Sequence, residues 1–181
     1  AISGISYVRA KSTAMQILES IIVSGAFVQP IKRLTGRESP FITADDGRWH
    51  SQWTFAPSFK AYQEDTPMYD AMPSGHLTTA MSALTVIAEN YPDYKWIKPV
   101  GYTALGLMCY EMMQSKVHWA SDYPIALFVG YITGKTIANR RITKVKTEEV
   151  NALNPKKYHW EFSTSNTWDG YQLVGVNIRF R

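Results

Sequence analysis

Cysteine is nearly missing from this chain of 181 residues. With Cys109 alone, neither an internal disulfide nor a thiolate metal site can form. A single cysteine inside an apolar helical run is read as a packing residue. Long apolar runs are missing as well. The longest, around Val100 to Tyr110, is too short to cross a bilayer, and none reaches 18 residues. No transmembrane helix is therefore expected. Internal repeats and low-complexity tracts are absent, which excludes solenoids and repeat arrays. No zinc-motif spacing occurs, so no metal is expected. No nucleic-acid motif surrounds the basic residues, so no nucleic-acid partner is expected. No secretory signal is read. The chain opens at Ala1 instead of methionine, as expected of a processed or trimmed chain.

What remains is an ordinary globular composition, 45% hydrophobic and 19% charged, enough for one domain with a core and an appendage. The formal net charge is +4. Arg140, Arg141, Lys144, Lys146, Lys156 and Lys157 cluster in one late stretch. Such a stretch is first a solvated segment; its sharper reading is contact with an anionic membrane surface.

Periodicity predicts four main helices. The first runs from about Lys11 to Thr35, with apolar residues Met15, Ile17, Leu18, Ile21, Ile22, Ala26, Phe27 and Ile31 at three- and four-residue steps. Ser12 is its expected N-cap and Gly36 its stop; Pro30 should kink it. Residues 37–72 look irregular, apart from a short helix near Ser58–Gln63; so long a stretch suggests a lid or rim. Further helices are expected from His76 to Tyr91, from Tyr94 to Gln114, and from Ser121 to Arg141. In the tail, Tyr158, Trp160 and Phe162 alternate with polar residues, as do Val174, Val176, Ile178 and Phe180. Asp169-Gly170 between them signals a hairpin turn. The expected fold class is all-α, a helical bundle over 1–141, followed by a basic linker and a strand-like tail over 142–181. The tail is expected to pack on its own domain or on a protein partner through residues 158–181.

Three segments carry chemistry. In Pro73-Ser74-Gly75-His76, Ser74 and Gly75 open a helix. Free amides and a partial positive charge make a helix mouth an anion site, and Gly75 lets a ligand approach closely. His76 stands at the same mouth; alone it reads equally as a capping histidine. His118 and Asp122 are four apart, so on one helix the carboxylate can hold the imidazole. An ordinary surface pair has the same spacing. Lys32, near the end of the first helix, complements the helix dipole or neutralises a phosphate oxygen.

Together and in this order, these segments resemble the signature of the type 2 phosphatidic acid phosphatase superfamily, which holds bacterial acid phosphatases, lipid phosphatases and vanadium haloperoxidases. That signature is Lys, six residues, Arg-Pro; then Pro-Ser-Gly-His; then Ser-Arg, five residues, His, three residues, Asp. The second segment matches completely, the third at His118 and Asp122, and the first at Lys32, Gly36, Arg37 and Pro40. The resemblance covers roughly residues 12–140. It implies an all-helical acid-phosphatase bundle and hydrolysis of a phosphomonoester or lipid phosphate without a cofactor. His118 would be the nucleophile, Asp122 its orienting carboxylate and His76 the acid. Ser74, Gly75, Lys32 and Arg37 would hold phosphate. Vanadate would act as inhibitor or, in haloperoxidase chemistry, as cofactor. Soluble bacterial members are usually exported, so a periplasmic or envelope location is expected.

Two family arginines are replaced, by Ser39 and by Met112. Each charge-assisted hydrogen bond contributes about 1.5–3 kcal/mol. Losing two costs about 10²- to 10⁴-fold in rate if felt in the transition state. The alternative is therefore a catalytically inactive member, serving as a structural or binding subunit of an envelope complex.

Overall fold

The computed structural model describes the backbone of residues 2–153, 158–166 and 172–180, and side chains within 9–140. Six α-helices and two strands follow in order: α1 (Ile2–Thr35), α2 (Pro40–Asp45), α3 (Phe59–Glu64), α4 (Gly75–Asn90), α5 (Ile97–Gln114), α6 (Tyr123–Leu153), β1 (Tyr158–Asn166) and β2 (Gln172–Phe180). The chain divides into two compact units, Ala1–Arg140 and Arg141–Arg181.

In the first unit α1 packs most extensively on α4, and α4 on α5. Leu77, Met81, Leu105, Met112, Tyr123 and Ala126 form the core where α4, α5 and α6 meet, with Cys109 packed against it. Burial pushes the Cys109 thiol up and the Tyr123 phenol up to about 12, and Tyr123 donates to the Cys109 carbonyl at 3.0 Å. Gly130 and Gly134 of α6 lie flat against α4. A Cβ on either would sit 2.5 Å from the carbonyl oxygen of Thr78 or of Ser82.

α1 is built inside out. It buries Thr13, Gln16, Ser20, Ser24, Val28 and Lys32, while Met15, Leu18, Ile22 and Phe27 are exposed. The predicted helix is there, but much of its apolar stripe faces outward. The inward hydroxyls are satisfied locally: Ser20 donates to the Ile17 carbonyl at 2.8 Å and Ser24 to Ile21 at 3.1 Å. Residues Arg9–Thr35 have a mean hydropathy of 1.4 over an 18-residue window, long and apolar enough by length and composition to cross a membrane. This corrects the expectation that no segment is. An uninterrupted apolar run is the wrong test here, because most of the polar interruptions, Thr13, Gln16, Ser20 and Ser24, are buried within the unit. The start also differs: α1 begins ten residues before Ser12, which is interior and caps nothing. Pro30 lies within the helix without ending it.

The irregular stretch holds more structure than its sequence suggests. Pro40 opens α2, and a 3₁₀ turn, Thr66–Met68, follows α3. Gly36, at φ +50°, carries the chain out of α1; a Cβ there would lie 1.8 Å from the Thr54 carbonyl oxygen. Arg37 then forms bridges to Trp53 and Asp70. Glu38 accepts from Arg48 at 2.9 Å and from the Gln52 amide at 2.9 Å. Arg33 lies over the rings of Phe59 and Tyr62, tying α3 to α1.

In the second unit β1 and β2 pair antiparallel, from Tyr158↔Phe180 to Asn166↔Gln172. Positions Tyr158, Trp160 and Phe162 pair with Phe180, Ile178 and Val176. The Asp169-Gly170 turn signal and Lys156 and Lys157 lie outside the described residues.

Candidate active site

The site assembles at the mouth of α4. Ser74 is the N-cap, its hydroxyl accepting from the Leu77 amide at 3.4 Å. The Met72–Pro73 peptide before it is cis. Lys32, from the last turn of α1, comes up beside this mouth. A Cβ on Gly75 would lie 3.9 Å from Lys32 Cε and 4.0 Å from Nζ. His76, exposed in the first turn of α4, faces His118, with ring centroids 6.3 Å apart and planes at 66°. The structure thus brings together Lys32, Ser74, Gly75, His76 and His118.

His118 is 5% exposed and lies between α5 and the 3₁₀ turn Ala120–Asp122, not on a helix. Its Nδ1 is 2.7 Å from the Ala71 carbonyl oxygen. A carbonyl can only accept, so Nδ1 carries the proton and neutral His118 keeps its lone pair on Nε2. The Asp122 carboxylate is 3.8 Å from Nδ1, beyond hydrogen-bond distance. The pair that the spacing predicted is present at ion-pair range, without a hydrogen bond. It is made by a loop entering a 3₁₀ turn, where a continuous helix was expected.

Asp122 is fully buried and has other partners. One oxygen accepts from the Trp119 amide at 2.7 Å, and the other from Arg37. Arg37 also donates to Ser121 at 2.8 Å and Ser51 at 3.2 Å, and lies between the rings of Trp53 and Trp119 at 4.8 and 5.3 Å. The guanidinium expected on phosphate is therefore committed to a buried ion pair. Lys32 is committed as well: its Nζ donates to the Asp70 carbonyl oxygen at 2.7 Å and to the Asp70 carboxylate at 3.1 Å.

At the two altered positions no cation stands. Met112 is buried, and its sulfur is 3.5 Å from the Ser74 hydroxyl. Ser39 is buried at the start of α2, its carbonyl accepting from Thr43 at 3.3 Å. Lys116 does not fill the gap. It is exposed, and with Thr43, Trp49 and Trp119 it lines a separate cavity of about 430 Å³. Among the described residues, no three His, Cys, Asp or Glu side chains gather to hold a metal ion.

Sequence reasoning missed Asp70, Ala71 and Trp53, and gave Glu38 and Trp119 no role of their own. Ala71 acts through its backbone, which no residue type betrays. Asp70 precedes the Pro-Ser-Gly-His segment by three residues and falls in no motif.

A family model described as the PAP2 superfamily matches residues 13–145, from the first buried turn of α1 into α6. No curated protein and no solved structure matches the chain. The match covers well over half of the residues and encloses every residue of the site, so the chain belongs to the PAP2 superfamily of type 2 phosphatidic acid phosphatases, whose function is of the phosphatase type.

Proposed function

We propose that this chain is a metal-independent phosphatase that hydrolyses a phosphomonoester or lipid phosphate through a phosphohistidine on His118. One observation carries the reading: Nδ1 of His118 is held by a carbonyl, which leaves Nε2 as the nucleophilic atom beside His76. Nε2 attacks phosphorus and the bond to the leaving oxygen breaks. His76, entering as imidazolium, gives that oxygen its proton. Neutral His76 then takes a proton from water as the water oxygen attacks phosphorus. The P–N bond breaks, inorganic phosphate leaves, and His118 is regenerated. The amides at the mouth of α4, the Ser74 hydroxyl and Lys32 stabilise the equatorial oxygens. Asp122 acts on His118 through position and field, not through a hydrogen bond. Vanadate, as an analogue of the five-coordinate phosphorus, is expected to inhibit. We place the chain in the bacterial envelope, where the apolar outer face of α1 suits a membrane-associated enzyme.

The test is turnover of p-nitrophenyl phosphate and a short-chain phosphatidic acid by the purified chain. His118→Ala should abolish it, and brief mixing with labelled substrate should trap an acid-labile phosphoryl group on His118. Absence of His118-dependent turnover on every phosphate ester tried would reject the proposal.

A second reading is favoured by the pairing of Lys32 with Asp70 and of Arg37 with Asp122: an inactive member acting as a binding subunit. Such a subunit keeps its partner after His118→Ala and loses it when residues 158–181 are deleted.

A further inference from the structure

The site's cations do not face an open anion site as free charges. Arg37 is matched by Asp122 and Lys32 by Asp70. Uncharged Ser39 and Met112 occupy the positions of the two family arginines. Fixed charge around the helix mouth therefore cancels pair by pair. The two pairs differ in kind. The Arg37–Asp122 pair is buried on both sides, with side-chain exposures of 9% and 0%. In the other pair Lys32 is 8% exposed and Asp70 is 31% exposed. Lys32 is fixed, while the Asp70 carboxylate borders water and can leave without being buried elsewhere.

An ammonium has three donors. Two of those on Lys32 go to a single residue, the Asp70 backbone oxygen and its carboxylate. Nζ also sits about one van der Waals contact from the Gly75 position, where the α4 amides open. A phosphoryl oxygen held by that helix mouth would take the third donor and share the ammonium with the Asp70 carboxylate.

We infer that Asp70 is a built-in competitor of the phosphoryl group, a specificity-determining carboxylate that already neutralises Lys32 and repels a phosphate oxygen sharing the same ammonium. This rests on the site reading above and adds a residue to it. The hydrogen bond that Lys32 donates to the Asp70 backbone carbonyl keeps it in place when the carboxylate moves away. Asp70 thus lowers anion affinity without dismantling the pocket. It also selects: a dianionic phosphate meets repulsion from the carboxylate that a monoanionic phosphodiester meets only in part.

The experiment measures binding of inorganic phosphate and dimethyl phosphate by calorimetry at low salt, in the His118→Ala background, so that no turnover is needed. Asp70→Asn and Asp70→Ala are each compared with their parent, alone and combined with Lys32→Met. Either Asp70 substitution should tighten inorganic phosphate by about tenfold, and dimethyl phosphate by clearly less. Lys32→Met should erase the gain. Near-ultraviolet circular dichroism shows that each variant is folded. An unchanged or weaker phosphate affinity in both Asp70 variants overturns the inference, as does an equal gain that persists without Lys32. Phosphate binding that responds to Asp70, where the chain with His118 intact hydrolyses no phosphate ester, sinks the phosphatase reading and leaves Asp70's role standing.

Discussion

Replacing Asp122 with asparagine separates two roles that a carboxylate at this position can have. If it orients the nucleophile, its loss strikes turnover. If it neutralises Arg37, its loss strikes stability. The geometry favours the second. Asp122 Oδ2 is 3.8 Å from His118 Nδ1, while its two oxygens accept from Arg37 and the Trp119 amide. With both side chains buried, asparagine leaves an uncompensated guanidinium in the interior, a loss of about 3–5 kcal/mol. That is a large share of the ~5–15 kcal/mol that holds a domain together. For a unit of this size it lowers Tm by roughly 6–20 °C. The His118 tautomer should survive, because the Ala71 carbonyl holds Nδ1 independently. Turnover measured well below the lowered Tm should then fall by about tenfold or less, near 1.4 kcal/mol. Differential scanning fluorimetry and initial rates at low temperature make the comparison. A Tm unchanged within about 1 °C, together with a rate collapse of about 10⁴-fold, would refute this assignment and restore Asp122 as the orienting carboxylate.

Met112→Arg returns a guanidinium to the neighbourhood of Ser74 and should raise kcat/KM for a phosphomonoester by about tenfold or more, while overpacking costs about 1–3 kcal/mol in chemical denaturation. Burial raises the Glu38 carboxyl, but hydrogen bonds from Arg48 and the Gln52 amide outweigh it and hold the group below its usual 4.5. A lowered folded pKa contributes stability above the unfolded value and loses it as pH falls through the folded one. The urea midpoint should therefore drop on acidification below about pH 4.5, and Glu38→Gln should flatten that drop while lowering the midpoint at neutral pH. Gly134→Ala should destabilise by about 1–3 kcal/mol, since its methyl meets Ser82 and Thr85 of α4. Gly106→Ala in α5, with nothing within 4 Å, should stabilise by up to about 1 kcal/mol; equal effects at the two glycines would contradict this packing.

The four main helices were legible where periodicity and punctuation agreed, although α1 starts well before Ser12 and α6 runs past Arg141 to Leu153. Ser74 before Gly75 started α4, and Gly36 ended α1. The convergence of Lys32, His76 and His118 was legible only through the three-part motif, since no local pattern brings residues so distant in sequence together. Three things were hidden. The face of α1 was misleading, because hydrophobic stripes are ordinarily core-facing and this one is not. The His118–Asp122 spacing presupposed a helix where the chain makes a loop and a 3₁₀ turn. The stretch 37–72 looked structureless because its order comes from long-range bonds, such as Trp119 to the Glu38 carbonyl at 2.8 Å, that periodicity cannot register.

The seam between α1 and α4 has a consequence well away from its own contacts. Ser20 and Ser82 meet there through hydroxyls 3.4 Å apart, and Ser24 lies buried on the same side of α1. Small side chains let the two rods lie close together. One rod delivers the lysine, the other the open amides and a histidine. The width of the reactive cleft is therefore gauged several turns below it. A leucine in place of Ser20 or Ser24 would wedge the rods apart and widen the gap between Lys32 and Gly75, leaving Lys32, His76 and His118 present but out of reach of one another.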